Sequence, residues 1–218
     1  MPPWVEPVGR QMAGGLVTTI ELSLLAGLFG CLVGVILGTL ETLPARLVTV
    51  PIRAYVELWR GLPIILTLFL IFFGLPALGV RLPAFAAAVI GLALWASANI
   101  AEIVRGAVNS IPRGQREAAR ALGMSWAKAM VYVILPQAAR RMLPPLVSLL
   151  VNLVQSSALA AILGVLDLLL AGRLQIERLT LLGNSHAVEI LGAVMVVYFL
   201  ICFPLTRVSA HLERRLSV

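Results

Sequence analysis

Charge is scarce in this sequence. Only 12% of its 218 residues are Asp, Glu, Lys or Arg, against 60% hydrophobic, a balance that excludes an ordinary water-soluble domain. Cysteine is nearly absent. Cys31 and Cys202 both lie inside apolar runs, which excludes a disulfide framework and reads as two small buried residues. The two histidines, His186 and His211, stand near opposite ends of one apolar run and cannot share a metal. No dyad or triad of catalytic spacing occurs, which argues against a membrane enzyme. No Gly-x-x-x-x-Gly-Lys-Ser/Thr occurs either, so the chain has no phosphate loop with which to hydrolyse a nucleotide itself. The net charge of +7 does not point to nucleic acid, because the cations are scattered between apolar runs.

What is present in quantity is hydrocarbon. A helix rises about 1.5 Å per residue, so about 20 apolar residues cross a bilayer core about 30 Å thick. Five runs qualify, at about 15–40, 61–80, 83–105, 143–166 and 187–206. The fold expected is therefore all-α integral membrane, a single domain over 1–218 with five transmembrane helices. The first run is too long for the apolar core of a signal peptide and follows Glu6 and Arg10, so it reads as a retained span. Five spans put the termini on opposite sides. With the N-terminus outside, Arg10, Arg81, Arg173 and Arg178 alone are external, and every other cation, including the single Lys128, is internal. The excess of internal Arg selects N-out, C-in. Ala26, Gly30, Gly34 and Gly38 form a small-residue stripe on the first span, fit for close helix packing within the chain or against another subunit.

Between the third and fourth spans lies a wet segment, about 106–142. Pro112 suits a helix start with Ser110 as a cap, and Gly123 suits a left-handed stop. Ser125 suits the cap of a second helix from about Trp126, which Pro136 would end or kink. Ala118, Ala119 and Ala121 give a stiff helix with little bulk. Glu117 can pair with Arg113 or Arg120, and Leu122 and Met124 flank the turn as an apolar plug. The internal order is Glu117-Ala118-Ala119, three residues, Gly123, nine residues, Val133, one residue, then Leu135-Pro136. This resembles the cytoplasmic "EAA loop" of bacterial ATP-binding-cassette importer permeases. The resemblance extends along most of the chain and is nearest the polar amino acid uptake branch. It includes Gly15-Leu-Val-Thr-Thr-Ile-Glu-Leu-Ser, Tyr55-Val-Glu-Leu-Trp-Arg-Gly-Leu-Pro63, Ala101-Glu-Ile-Val-Arg-Gly106 and Val133-Ile-Leu-Pro-Gln-Ala138.

The resemblance implies a multi-pass protein of the bacterial cytoplasmic membrane, driven through Glu117, Ala118, Ala119, Ala121, Leu122, Gly123 and Met124 by two separate ATPase subunits. It implies a second permease chain, identical or homologous, and an extracytoplasmic substrate-binding protein. No cofactor is expected on this chain; ATP and Mg belong to the ATPases. One departure stands out. Where the branch commonly shows Lys-Asp-Thr-Ser-Leu, this chain has Gln155-Ser-Ser-Ala-Leu159, and loss of an intramembrane charged pair bears on what is carried.

Candidate path residues are the polar groups at membrane depth. Ser148, Asn152, Gln155 and Ser156 fall on one helical stripe, with Ser157 beside it. They would line a path or join helices by hydrogen bonds. Asn99 is a further candidate. Glu21, about six residues into the first span, is expected to face the bundle interior. Glu102 is expected to pair with Arg105, and Glu57 with Arg60. The stretch from Asp167 to His186 reads as an outer loop, either solvated or receiving the binding protein. Importers of other small solutes remain an alternative. So does an ATPase-independent secondary transporter, but internal repeats and midplane charges are missing.

Overall fold

The computed structural model describes residues 3–216, and every regular element among them is helical. α1 runs Val5–Leu40, α2 Arg46–Gly61 and α3 Ile64–Phe69. α4 is Ala84–Ser110, α5 Arg113–Ala121 and α6 Trp126–Ala129. α7 is Leu135–Ser157, α8 Leu168–Leu181 and α9 Ala187–Leu216. Four continuous helices are long and apolar enough to cross a membrane: Val5–Leu40, Ala84–Ser110, Trp126–Leu163 and Ala187–Leu216. A fifth span results if α2 and the helical stretch Ile64–Leu78 count as one, across a bend of 106°. The bend has a local cause. Pro63 disfavours helical geometry at the residue before it, and Leu62 is extended, with φ −89° and ψ 138°.

Proline shapes the long helices in a second way. The π turn Leu70–Gly74 ends two residues before Pro76, and the π turn Met130–Ile134 ends two residues before Pro136. A proline ring collides with the carbonyl four residues earlier and offers no N–H to it. One wide turn displaces that carbonyl and lets the helix continue. Pro136 was expected to end or kink a short helix; instead the helix passes through it. For the same reason the long helix Trp126–Leu163 begins well before the apolar run at 143.

α4 lies at the centre, packed on α1, α2, α3 and α7. The small-residue stripe of α1 faces it within the chain. A Cβ on Gly30 would stand 2.7 Å from the Ala96 Cβ, and one on Gly34 would stand 2.6 Å from the Ile100 Cβ. The glycines therefore let the two backbones approach closely. Leu22, Leu68, Leu92, Ile100, Val104 and Leu153 complete the dry core around this seam.

The outer stretch expected as a loop is largely the helix α8. Asp167 starts it: the carboxylate Oδ1 accepts from the Leu170 N–H at 2.8 Å, the N-cap arrangement. Asp167 is fully buried, and burial raises its carboxyl to about 6. α8 packs against α1 and α9. A Cβ on Gly15 would lie 2.6 Å from the Asp167 carbonyl oxygen. Mixed polarity and short length hid this helix from a hydropathy reading.

Candidate functional site

Two features are candidates for the functional site. The first is the turn joining α5 to α6. Its geometry follows from Gly123, whose φ is +73°, a conformation glycine adopts without a Cβ penalty. The Gly123 N–H donates to the Arg120 carbonyl at 2.9 Å, and the Met124 N–H donates to the Ala119 carbonyl at 3.0 Å. These two bonds form a Schellman ending, which satisfies carbonyls a helix end leaves bare. Ser125 then caps α6, its Oγ accepting from the Lys128 N–H at 3.4 Å. Ser110 does not cap α5. Its hydroxyl donates to the Ala107 carbonyl and accepts from Arg141 Nη1 at 2.9 Å, leaving Pro112 at the uncapped start of α5.

The α5 surface is open. Glu117, Ala118, Ala121, Leu122 and Gly123 are exposed, Met124 is half-buried, and Ala119 alone is buried. Leu122 is 77% exposed. Glu117 makes no ion pair with Arg113 or Arg120, contrary to expectation; the i±3 and i±4 spacing permits such a pair, but exposed partners gain little by ordering themselves. α5 is tied to its neighbours by other bonds. Arg116 Nη2 donates to the Val108 carbonyl at 2.8 Å, and Gln137 Nε2 donates to Gln115 Oε1 at 3.2 Å.

The second feature is a cavity of about 420 Å³ between α2, α4, α7 and α9. It brings together Asn99 and Asn152 from the expected set, with Ser148 beside them. Arg60, Glu102, Ser209 and Glu213 complete its polar wall. Ser148 also joins helices: its Oγ lies 2.9 Å from the Ser209 Oγ, and Ser209 in turn donates to the Pro144 carbonyl at 2.9 Å. Cavity lining and helix joining thus meet on adjacent residues. Gln155, Ser156 and Ser157 do not line the cavity. Ser157 is buried, and its hydroxyl donates to the Val154 carbonyl at 2.7 Å. Glu21 lies on the exposed face of α1 rather than inside this bundle, because the glycine stripe gives the opposite face of α1 to α4.

Beside the cavity, charges tie three helices together. Arg105 holds Glu102 within α4 and reaches Glu41, just past the end of α1, at 3.6 Å. Arg60 of α2 reaches Glu102 at 3.3 Å, and Glu57 pairs with Arg53 instead, at 2.8 Å. The expected Glu57–Arg60 pair is replaced because Arg60 has an interhelical partner. Burial pushes the Glu41 carboxyl up, with Arg105 opposing that rise. Sequence reading missed Glu41, Ser209 and Glu213. An acid directly after an apolar run was the one available signal, for Glu41.

Residues 30–218 match the family model described as the inner membrane component of binding-protein-dependent transport systems. The glutamine transport system permease protein GlnP of Escherichia coli (strain K12) is 36% identical, over 98% of this chain and 96% of its own length. The probable glutamine ABC transporter permease protein GlnP of Bacillus subtilis (strain 168) is 32% identical, over 92% and 91% respectively. A solved chain described as an amino acid ABC transporter with histidines superposes with TM-score 0.85, at 31% identity and 99% coverage of both chains. Such relatives are transport components rather than enzymes. The helical architecture, the open α5–α6 turn and a match over most of the residues agree: this chain belongs to the family of inner membrane components of binding-protein-dependent transport systems, as an ABC transporter permease.

Proposed function

We propose that the chain is the membrane-spanning subunit of an ATP-driven importer for polar amino acids, working in the bacterial cytoplasmic membrane. The observation that carries the proposal is the α5–α6 turn. It is locally well built yet hardly buried, as a surface made for another protein should be. In this reading the chain is N-out and C-in with five spans, and the turn faces the cytoplasm. Two ATPase subunits, which carry the ATP and Mg, grip Glu117, Ala118, Ala121, Leu122, Gly123 and Met124. Ala119 anchors the helix from behind.

Closure of the ATPases on ATP would move α5. That motion reaches α4 through Arg116 and the Val108 carbonyl, and reaches α7 through Gln115 and Gln137. The spans would then alternate between inward and outward opening. An external binding protein delivers the solute, which passes the wall of Asn99 and Asn152. A second permease chain, identical or homologous, closes the path. Its presence gives Glu21 a protein or aqueous surrounding, since an acid held against lipid is costly. The glutamine permeases among the relatives support an amide-bearing or otherwise polar amino acid as cargo.

The test is Gly123→Arg. Nothing lies within 4 Å of a Cβ at this position, so membrane insertion should survive, with about 1 kcal/mol of strain from the left-handed backbone. Copurification of the ATPase should fall at least tenfold. Unchanged copurification removes the coupling role. Substrate transport by the chain in vesicles free of any ATPase removes the importer reading altogether.

A further inference from the structure

A second cavity lies behind the α5–α6 turn, on the side away from its open surface. It measures about 350 Å³ and sits between the α1–α2 connection and the start of the long helix Trp126–Leu163. Its polar lining is Arg116, Arg120 and Thr42, and its apolar lining includes Met124, Trp126 and Met130. The two arginines make no ion pair among the described residues. Arg116 is moreover held in place: Nη2 donates to the Val108 carbonyl at 2.8 Å, while Nε is shut from water without an acceptor. A fixed, partly desolvated guanidinium with no carboxylate at ion-pair distance is left open to an anionic ligand. Beside it Arg120 adds a second charge on an exposed side chain.

We propose that this cavity binds one anionic phospholipid of the inner leaflet. The phosphate would sit against Arg116 and Arg120, beside Thr42, whose hydroxyl already donates to the Thr39 carbonyl at 2.7 Å, and the first part of the acyl chain would lie on Trp126 and Met130. Basic pockets between spans on the cytoplasmic side suit anionic headgroups, and tryptophan favours the headgroup level. Guanidinium is the cation best matched to phosphate oxygens. A free phosphate shares the headgroup's chemistry but leaves the apolar wall unused. The lipid would bridge the α1–α2 connection and the coupling turn, so that membrane composition acts on the element the ATPases grip. This inference rests on the cytoplasmic placement proposed above.

The test is native mass spectrometry of the full chain extracted from membranes and exchanged into phosphatidylglycerol or phosphatidylcholine. Phosphatidylglycerol should be retained at least tenfold over phosphatidylcholine. Arg120→Gln should cut retention at least fivefold. Arg53→Gln, a change to an exposed cation of α2 outside the cavity, should leave it unchanged. Arg116→Gln disturbs the bond to Val108, so Arg120→Gln is the deciding variant. Equal retention of both lipids, or retention insensitive to Arg120→Gln, overturns the site. Displacement of the lipid preference by millimolar inorganic phosphate with no loss of thermal stability identifies a free-anion pocket and overturns the lipid. Loss of ATPase copurification in Arg120→Gln with lipid retention intact identifies a protein contact and overturns it equally. Placement is read separately, from Ser125→Cys in a chain whose Cys31 and Cys202 are alanine. Labelling by an impermeant maleimide from the cytoplasmic side alone supports the inner-leaflet assignment; labelling from outside overturns it together with the proposed orientation.

Discussion

The short helices α5 and α8 cross between long helices with much the same punctuation and opposite burial. α8 ends as α5 does. The Gly183 N–H donates to the Thr180 carbonyl and the Asn184 N–H donates to the Leu179 carbonyl, both at 3.0 Å, around a glycine with φ +94°. Yet α8 buries Leu168, Ala171, Gly172, Gln175 and Leu179, and is capped by a buried aspartate. α5 buries Ala119 alone and has no side-chain cap. Local turn chemistry therefore defines where both helices stop and says nothing about what they are for. Burial separates them: α8 is packed into the fold of this chain, while α5 leaves open the surface proposed above to meet an ATPase.

The strongest way to break the comparison is to add one methyl group to each side. Gly15→Ala drives a Cβ to 2.6 Å from the Asp167 carbonyl and 2.8 Å from the Ala171 Cβ. Backbone cannot yield as a flexible side chain can, so overpacking should cost about 2–3 kcal/mol. Gly114→Ala in α5 meets nothing within 4 Å and should gain up to about 0.5 kcal/mol from reduced backbone entropy of the unfolded chain. Thermal unfolding of the detergent-solubilised permease reads both. A loss in Gly114→Ala equal to that in Gly15→Ala would show that α5 is packed as tightly as α8.

A smaller effect sharpens the contrast through pH. The Asp167 carboxyl, raised to about 6 by burial, keeps its proton in the folded chain over a range where the unfolded chain, near pH 4, has released it. The folded state then binds more protons, so stability falls as pH rises from about 4 to about 6 and is flat above. The full change is on the order of 2 kcal/mol. Asp167→Asn retains a capping oxygen and should remove the slope. Unfolding midpoints between pH 4 and 8 check this; a slope that persists in Asp167→Asn assigns it to another group.

Much of this molecule was legible from the sequence. The apolar runs marked the long helices, since about 20 such residues have few other uses, and Gly123 and Ser125 marked the turn through backbone rules that need no tertiary information. Three things were not legible. Helix ends run past the apolar windows, because a helix stops where its hydrogen bonds are broken rather than where hydrocarbon ends. α8 has a weak hydropathy signal, and its place depends on the absent side chain of Gly15, which is distant in sequence. The polar stripe of α7 also divides: Ser148 and Asn152 reach the cavity, whereas Gln155 and Ser156 do not. Helical spacing shows which residues share a face, but the neighbours of that face decide which of them meet a cavity.

Leu122 isolates the comparison most cleanly because its expected effect on stability is the least. An apolar side chain that is 77% exposed has almost no hydrocarbon contact to lose. Leu122→Ser should therefore shift the unfolding free energy of the isolated permease by less than about 0.5 kcal/mol. If the side chain fills a pocket on an ATPase, the same substitution removes most of a buried leucine from that contact. Burial of such a side chain contributes roughly 1.5–3 kcal/mol, so association should weaken about ten- to a hundredfold. Leu179 on α8, 9% exposed, should do the reverse, with Leu179→Ser costing about 2 kcal/mol or more of stability and leaving the surviving folded fraction able to bind. Binding of the ATPase, measured on folded protein only, separates the two. Unchanged affinity in Leu122→Ser would mean that the exposed leucine is an ordinary surface residue, and that any contact α5 makes with an ATPase runs through its backbone and alanines instead.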